Sequence, residues 1–322
     1  MSNGIARSNP TEQPRVLFFG RPCRLSTLPL QALLEAGTPI VAIVVPTRRH
    51  GEAPPIRLRS LPPLLLTPAK NEPSLEQLAR LNRIPLLEAN TLRHPQVLEG
   101  LARFEPDLLV VSCFPWRIPE EFVALAPLGG LNVHPSALPS YRGPDPLFWI
   151  YRHGHLRTGV TVHQLTAEFD AGPIVEQAVF DLPLGLPGDR LERQAAGIGG
   201  ALLVQAIRAL SERRARPLPQ APEHPSYFSW PQSADLEIGP EWPAWRAVHF
   251  LDGVLPLGYR PVYVTPGGQR TVVRSVLRWC RTAAEADRFA RSSRVTALPL
   301  RDAFLVVEAE RVSLPRLPGQ ER

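Results

Sequence analysis

The stretch Leu131–Leu138 reads LNVHPSAL and carries two polar side chains two positions apart. In a strand, successive side chains point to opposite faces, so Asn132 and His134 project together. Pro135 cannot continue a central ladder, which puts the pair at the strand's C-terminal end, where open α/β sheets bind their ligands. An amide donor beside an imidazole can stabilise a tetrahedral oxyanion there. Loss of such a donor costs on the order of 3–4 kcal/mol of activation energy in acyl-transfer enzymes. Taken alone, the two residues also fit a turn cap and a hydrogen-bonded core histidine.

A second stretch, Phe169–Ile174 (FDAGPI), adds a carboxylate. Asp170 falls in a turn, with Gly172 supplying backbone freedom and Pro173 blocking a helix. It can raise the pKa of His134 and hold it protonated, or take a proton from an attacking amine. The alternative is an Asx-turn that serves only the backbone. A third stretch, Pro139–Trp149 (PSYRGPDPLFW), sets Tyr141, Arg142 and Gly143 ahead of a proline-started helix. Arg142 can pair with a carboxylate or phosphate, or lie in a plain surface loop.

Positioning these groups requires a sheet. Arg15–Gly20 and Pro39–Val45 are short apolar runs that read as buried strands, with leucines at helical spacing over Ser26–Gly37 between them. Strand, helix and strand in that order favour a parallel pair. Pro46–Pro73 is rich in proline and arginine and reads as a long loop. Helical periodicity returns at Ser74–Leu81, Pro95–Arg103 and Glu120–Ala126, alternating with strands at Ile84–Leu87, Asp107–Ser112 and Gly130–Val133. Strands at Thr158–Leu165 and Ile174–Phe180 and a long helix over Gly188–Arg213 follow. The reading is a doubly wound, Rossmann-like α/β domain with a mainly parallel sheet. One helix near Ala244–Leu251 and short strands at Pro261–Thr265, Thr271–Leu277, Ala303–Glu308 and Arg311–Leu314 suggest a small OB-like β-barrel. The domain plan is therefore a flexible N-terminus at 1–14, the α/β domain at 15–213, a proline-rich linker at 214–235 and the barrel at 236–322.

With 44% hydrophobic and 20% charged residues, the chain has a globular composition and is neither disordered nor fibrous. No run approaches the roughly 18 uninterrupted apolar residues of a membrane span, and the polar start lacks a signal core, so a cytoplasmic location is expected. Cys23, Cys113 and Cys280 form no CxxC; buried reduced thiols are expected rather than disulfides or a zinc site. His153, His155 and His163 lack ligand-like clustering and read as structural or surface residues, so no metal is expected. The net charge of +6 invites an RNA partner. Against this, Lys70 is the only lysine and prolines number 38, which points equally to genomic base composition.

The segments LNVHPSALPSYRGPDP, TGVT and FDAGPI, in this order, resemble the formyltransferase family that uses 10-formyltetrahydrofolate. RVLFFGRP at the start and PDLLVVSCFPWRIP also resemble that family, over most of residues 15–215. The resemblance implies that Asn132, His134 and Asp170 are catalytic. It implies a folate-binding loop at Cys113, Phe114, Pro115, Trp116, Arg117 and Ile118, with Ser136, Leu138 and Asp170 also facing the donor. The domain order is similar to the family's methionyl-tRNA formyltransferases, which implies charged initiator tRNA as acceptor. Arg48 and Arg49 of the basic loop, with Arg142 and Gly143, would then contact substrate. An amino sugar or other small amine is the alternative acceptor, and hydrolysis of the same folate by water is a further alternative.

Overall fold

The computed structural model describes residues 13–47, 54–60, 72–221, 225–290, 292 and 294–311. The first half runs β1 (Val16–Gly20), α1 (Arg24–Glu35), β2 (Ile40–Pro46), β3 (Ile56–Leu58), α2 (Leu75–Leu81), β4 (Leu86–Ala89), α3 (Pro95–Ala102), β5 (Leu108–Ser112), α4 (Glu120–Val123) and β6 (Gly130–His134). It continues through α5 (Pro146–His153), β7 (Arg157–Gln164), β8 (Ile174–Asp181) and α6 (Gly188–Ser211). The remainder comprises β9 (Glu237–Ile238), α7 (Ala244–Val254), β10 (Val262–Val264), β11 (Arg270–Cys280), α8 (Ala283–Asp287), β12 (Val295–Pro299) and β13 (Phe304–Arg311). By their contacts the described residues form two compact units. One takes in 1–146, 158–180 and 192–229, the other 147–157, 181–191 and 230–322.

The first unit is built on an eight-stranded sheet in the order β3-β4-β2-β1-β5-β6-β7-β8. β1 pairs in parallel with β2 and β5, and β5 with β6, whereas β3 and β7 run antiparallel to β4 and β6. The near-continuous apolar strands follow from burial on both faces. Val16 and Phe18 join a core with Leu30, Leu33, Leu75 and Leu203, while Leu17 and Phe19 join another with Val97, Leu101 and Phe122. The chain leaves β1 toward α1 on one face and leaves β5 toward α4 on the other. The crevice at these diverging strand ends is where doubly wound sheets bind ligands.

The expected loop over Pro46–Pro73 contains β3. Its brevity and proline neighbours hid it, and ion pairs hold it: Arg57 to Glu88, and Arg59 to Glu88 and Glu76.

In the second unit a five-stranded sheet runs β12-β13-β11-β10-β9. The expected second sheet is present, and among the described residues it does not close into the expected OB-like barrel. Closure needs the first and last strands to pair, and β9 offers only Glu237–Ile238, parallel to β10. β9 and β12 were not foreseen, and residues 312–314 of the fourth expected strand lie outside the described residues. Within this unit Tyr151 packs against Gly253, where an added Cβ would stand 2.2 Å from the ring. The Arg152 and Arg246 guanidinium groups lie 4.7 and 4.3 Å from the centre of Trp242. No helix among the described residues is long and apolar enough to cross a membrane.

Phe18 is fully buried at the middle of β1. Its replacement by Ala removes most of a ring from a close-packed core, so Phe18→Ala should destabilise the first unit by about 3–5 kcal/mol. Denaturant unfolding followed by circular dichroism reads this; a loss below about 1 kcal/mol would contradict the packing described.

Candidate active site

β6 alternates. Leu131 and Val133 enter the core shared with α6, so Asn132 and His134 face the other way. β7 does the same antiparallel to it: Val160 and Val162 join that core, and the ladder sets His163 opposite Asn132 and Thr161 opposite His134. The turn after β7 then carries Asp170 into the same space. The Asn132 amide donates to Asp170 Oδ1 at 3.2 Å and lies 3.0 Å from His163 Nε2. Asp170 Oδ1 lies 3.7 Å from His134 Nδ1 and 3.6 Å from His163 Nε2.

The imidazole tautomers follow from their carbonyl partners. His134 Nε2 lies 2.8 Å from the Tyr141 carbonyl, which can only accept, so the proton sits on Nε2 and Nδ1 is left facing Asp170. His163 Nδ1 likewise donates to the Gln164 carbonyl, leaving Nε2 to accept from the Asn132 amide. Burial pushes the His134 pKa down, against the upward pull of Asp170. The expectation that Asp170 raises it is thus corrected: the pull exists, but desolvation of a fully enclosed ring outweighs it. Asp170 is itself buried, which opposes ionisation, yet its partners win and hold it well below the usual carboxylate range. The charge on His134 once that ring is protonated does most of this, with His163 and the Gly143 N–H, which donates to Asp170 Oδ2 at 2.8 Å, adding to it.

Distant segments brace this turn. Gly143 has φ of 112°, and a Cβ there would stand 2.1 Å from the Phe228 carbonyl, so only glycine lets its N–H reach Asp170. Gly172 is equally confined, with an added Cβ 1.9 Å from the Gln164 carbonyl. Gln220 donates to the carbonyls of Asp170 and Gly172, and its own Oε1 accepts twice from Arg142, at 3.0 and 2.6 Å. Ser226 Oγ accepts from the Tyr141 N–H at 2.8 Å, and the Tyr141 and Phe228 rings stack with centroids 5.4 Å apart.

The loop leaving β5 begins at Cys113, whose φ of 55° turns the chain sharply out of the strand. Phe114 packs edge-on against both Phe19 and Trp116, and Ile118 is buried, while Pro115 and Arg117 are exposed. Residues 114–118 make no backbone hydrogen bond to another described backbone group. Ser136 and Leu138 are buried below the loop that follows β6. Thr161 Oγ1 donates to the Ser136 carbonyl and accepts from the Leu138 N–H.

Asn132, His134, Asp170 and Gly143 are therefore brought together, and the Arg142 guanidinium is spent on Gln220. Arg48 and Arg49 lie outside the described residues. His163, read from sequence as structural or surface, stands 2% exposed inside the cluster. Its two-residue phase with Thr161 on a strand beside Asn132 is the only signal that could have found it. Gln220 and Ser226 left no local signal at all. Among the described residues no group of three or more histidines, cysteines or acids could hold a metal.

A family model described as Formyl transferase matches residues 14–207. The methionyl-tRNA formyltransferase of Chloroflexus aurantiacus is 36% identical over 207 residues, which cover 64% of this chain and 62% of that relative. The match thus spans less than two thirds of the relative's length. Among solved structures, HypX from Aquifex aeolicus in complex with tetrahydrofolic acid superposes with a TM-score of 0.60 at 15% identity, over 92% of this chain and 44% of its own. The N-formyltransferase from Helicobacter canadensis, in complex with folinic acid and dTDP-3-aminofucose, gives 0.60 at 15% identity, over 91% of this chain and 98% of its own. At such identities these likenesses speak for the fold. The family match takes in more than half of the sequence, and the chain belongs to the formyl transferase family.

Proposed function

We propose that this chain transfers a formyl group from 10-formyltetrahydrofolate to an amine, the amino group of methionyl-initiator tRNA, in the cytoplasm. The observation that carries this reading is the convergence of an amide, a neutral imidazole and an ionised carboxylate at the end of β6. Membership of the family supports the donor, and the curated relative supports the acceptor. A folate fits the residues present. The loop at 114–118 has backbone groups without backbone partners among the described residues, beside the rings of Phe114 and Trp116, which suits a flat, polar-edged ring.

The donor supplies the formyl carbon and the nitrogen that departs. Asn132 turns one N–H from Asp170 to the oxygen that becomes negative as the amine adds, a gain made only in the transition state. His134 enters neutral because burial keeps it so, and its Nδ1 takes the amine proton. The Asp170 carboxylate, 3.7 Å away, stabilises the imidazolium for as long as that proton is held. His134 then returns the proton to the departing nitrogen. His163 keeps the Asn132 amide oriented. Arg142 acts through Gln220 on the turn that carries Asp170.

Asp170→Asn should leave the fold intact and lower kcat by roughly 10²–10⁴-fold, the range of a lost proton-transfer contribution; a variant with most of its rate would refute the role. The residual activity carries a sign as well. Asp170 pulls the His134 pKa up, so its removal should move the acid limb of the kcat profile to lower pH, and a move to higher pH would oppose the mechanism. For the acceptor, tetrahydrofolate release should depend on charged initiator methionyl-tRNA. Release without any amine would favour hydrolysis. Release only with an amino sugar nucleotide would favour the small-amine reading that the Helicobacter canadensis likeness brings to mind.

A further inference from the structure

Two of the three cysteines, 90 positions apart in sequence and expected to be separate buried thiols, stand at the diverging ends of β1 and β5. Gly20 and Ser112, the last residues of those strands, pair in the ladder. Beyond them a serine clamp fixes the start of α1 to the end of β5. Ser26 Oγ donates to the Ser112 carbonyl at 2.5 Å, Ser112 Oγ donates to the Leu25 carbonyl, and the Arg21 N–H donates back to Ser26 Oγ at 3.1 Å. Cys23 sits at the N-cap of α1 and Cys113 directly after β5, so the clamp holds both at close quarters. Both are partly exposed, whereas Cys280 is buried.

The surroundings divide the labour between the two sulfurs. The Cys23 side chain makes no capping bond, its Sγ lies 3.8 Å from Ser26 Oγ, and it lies at the positive end of a 12-residue helix. The neighbouring Cys113, with Arg21 and Ser26 adding to its effect, pulls the Cys23 thiol down to about 5 despite burial. Its neighbour Cys23 and burial push the Cys113 thiol well up, so that it keeps its proton. A thiolate beside a retained thiol is the arrangement of an attacking and a resolving cysteine.

We propose that Cys23 and Cys113 form a redox-modification site that a hydroperoxide converts to an intramolecular disulfide. The Cys23 thiolate attacks the peroxide, an S–O bond forms as the O–O bond breaks, and the leaving hydroxide becomes water with the proton that the Cys23 thiol released to solvent on ionising. Cys113 then attacks the Cys23 sulfur; the S–S bond forms, the S–O bond breaks, and the departing hydroxide leaves as water with the Cys113 proton. The two sulfurs lose two electrons in total, and hydrogen peroxide becomes two waters. The bond ties the loop at 113–118 to the head of α1. The site needs no formyl transfer, so it stands apart from the proposed activity.

The test treats the whole protein with a few equivalents of hydrogen peroxide, then counts thiols after unfolding and maps the peptides. Thiols should fall from the three of the sequence to one, with Cys23 and Cys113 in one linked peptide that dithiothreitol separates. Cys23→Ser should keep both of its remaining thiols at the same dose. Three surviving thiols in the wild type would overturn the proposal, as would a linked peptide containing Cys280 or Cys23 carried to the sulfinic acid with no link.

Discussion

A carboxylate enclosed by protein must be answered by donors, and the charge of Asp170 organises the site for that reason. Removing such an ion from water costs several kcal/mol unless its oxygens are satisfied. Here one oxygen takes the Gly143 N–H and the other the Asn132 amide, with two histidines close by. Each donor comes from a different part of the chain, so the charge acts as a common point to which β6, the loop after it, and the turn after β7 are drawn. The same charge sets the chemistry: it leaves the neutral His134 ring a place where becoming cationic is tolerated.

The sheet makes this meeting inexpensive. Apolar residues of β6 and β7 anchor one face to α6, and the ladder alone then fixes the phase of the polar residues on the other. A one-residue slip would bury Asn132 and His134 in the core and expose Val133. Backbone freedom is needed at few points, chiefly Gly143 and Gly172, where another backbone passes too close for any side chain.

Most of the α/β architecture was legible because buried parallel strands and their helices write simple periods into the sequence. Asn132, His134 and Asp170 were legible because two of them share a strand's period and the third lies in a proline–glycine turn. His163 was not, since a histidine in an apolar strand has the same local pattern whether it fills space or meets a functional group. Gln220 and Ser226 reach the site across 50 and 85 residues, a distance that no local pattern carries. The placing of Cys23 and Cys113 at neighbouring strand ends was hidden for the same reason. Whether the second unit closes as a barrel was not legible, because closure depends on whether the first and last strands pair, which neither strand's own residues reveal.

Gln220, Ser226 and Phe228 have a consequence for how small this chain can be made. The α/β core ends with α6 at Ser211, and a chain cut there would keep its sheet and both hydrophobic layers. It would lose the amide that spans the Asp170 and Gly172 carbonyls, the hydroxyl that holds Tyr141, and the ring stacked on Tyr141. The minimal folded core and the minimal piece that keeps the cluster braced are thus different lengths, and a truncation meant to preserve that cluster has to extend past Phe228.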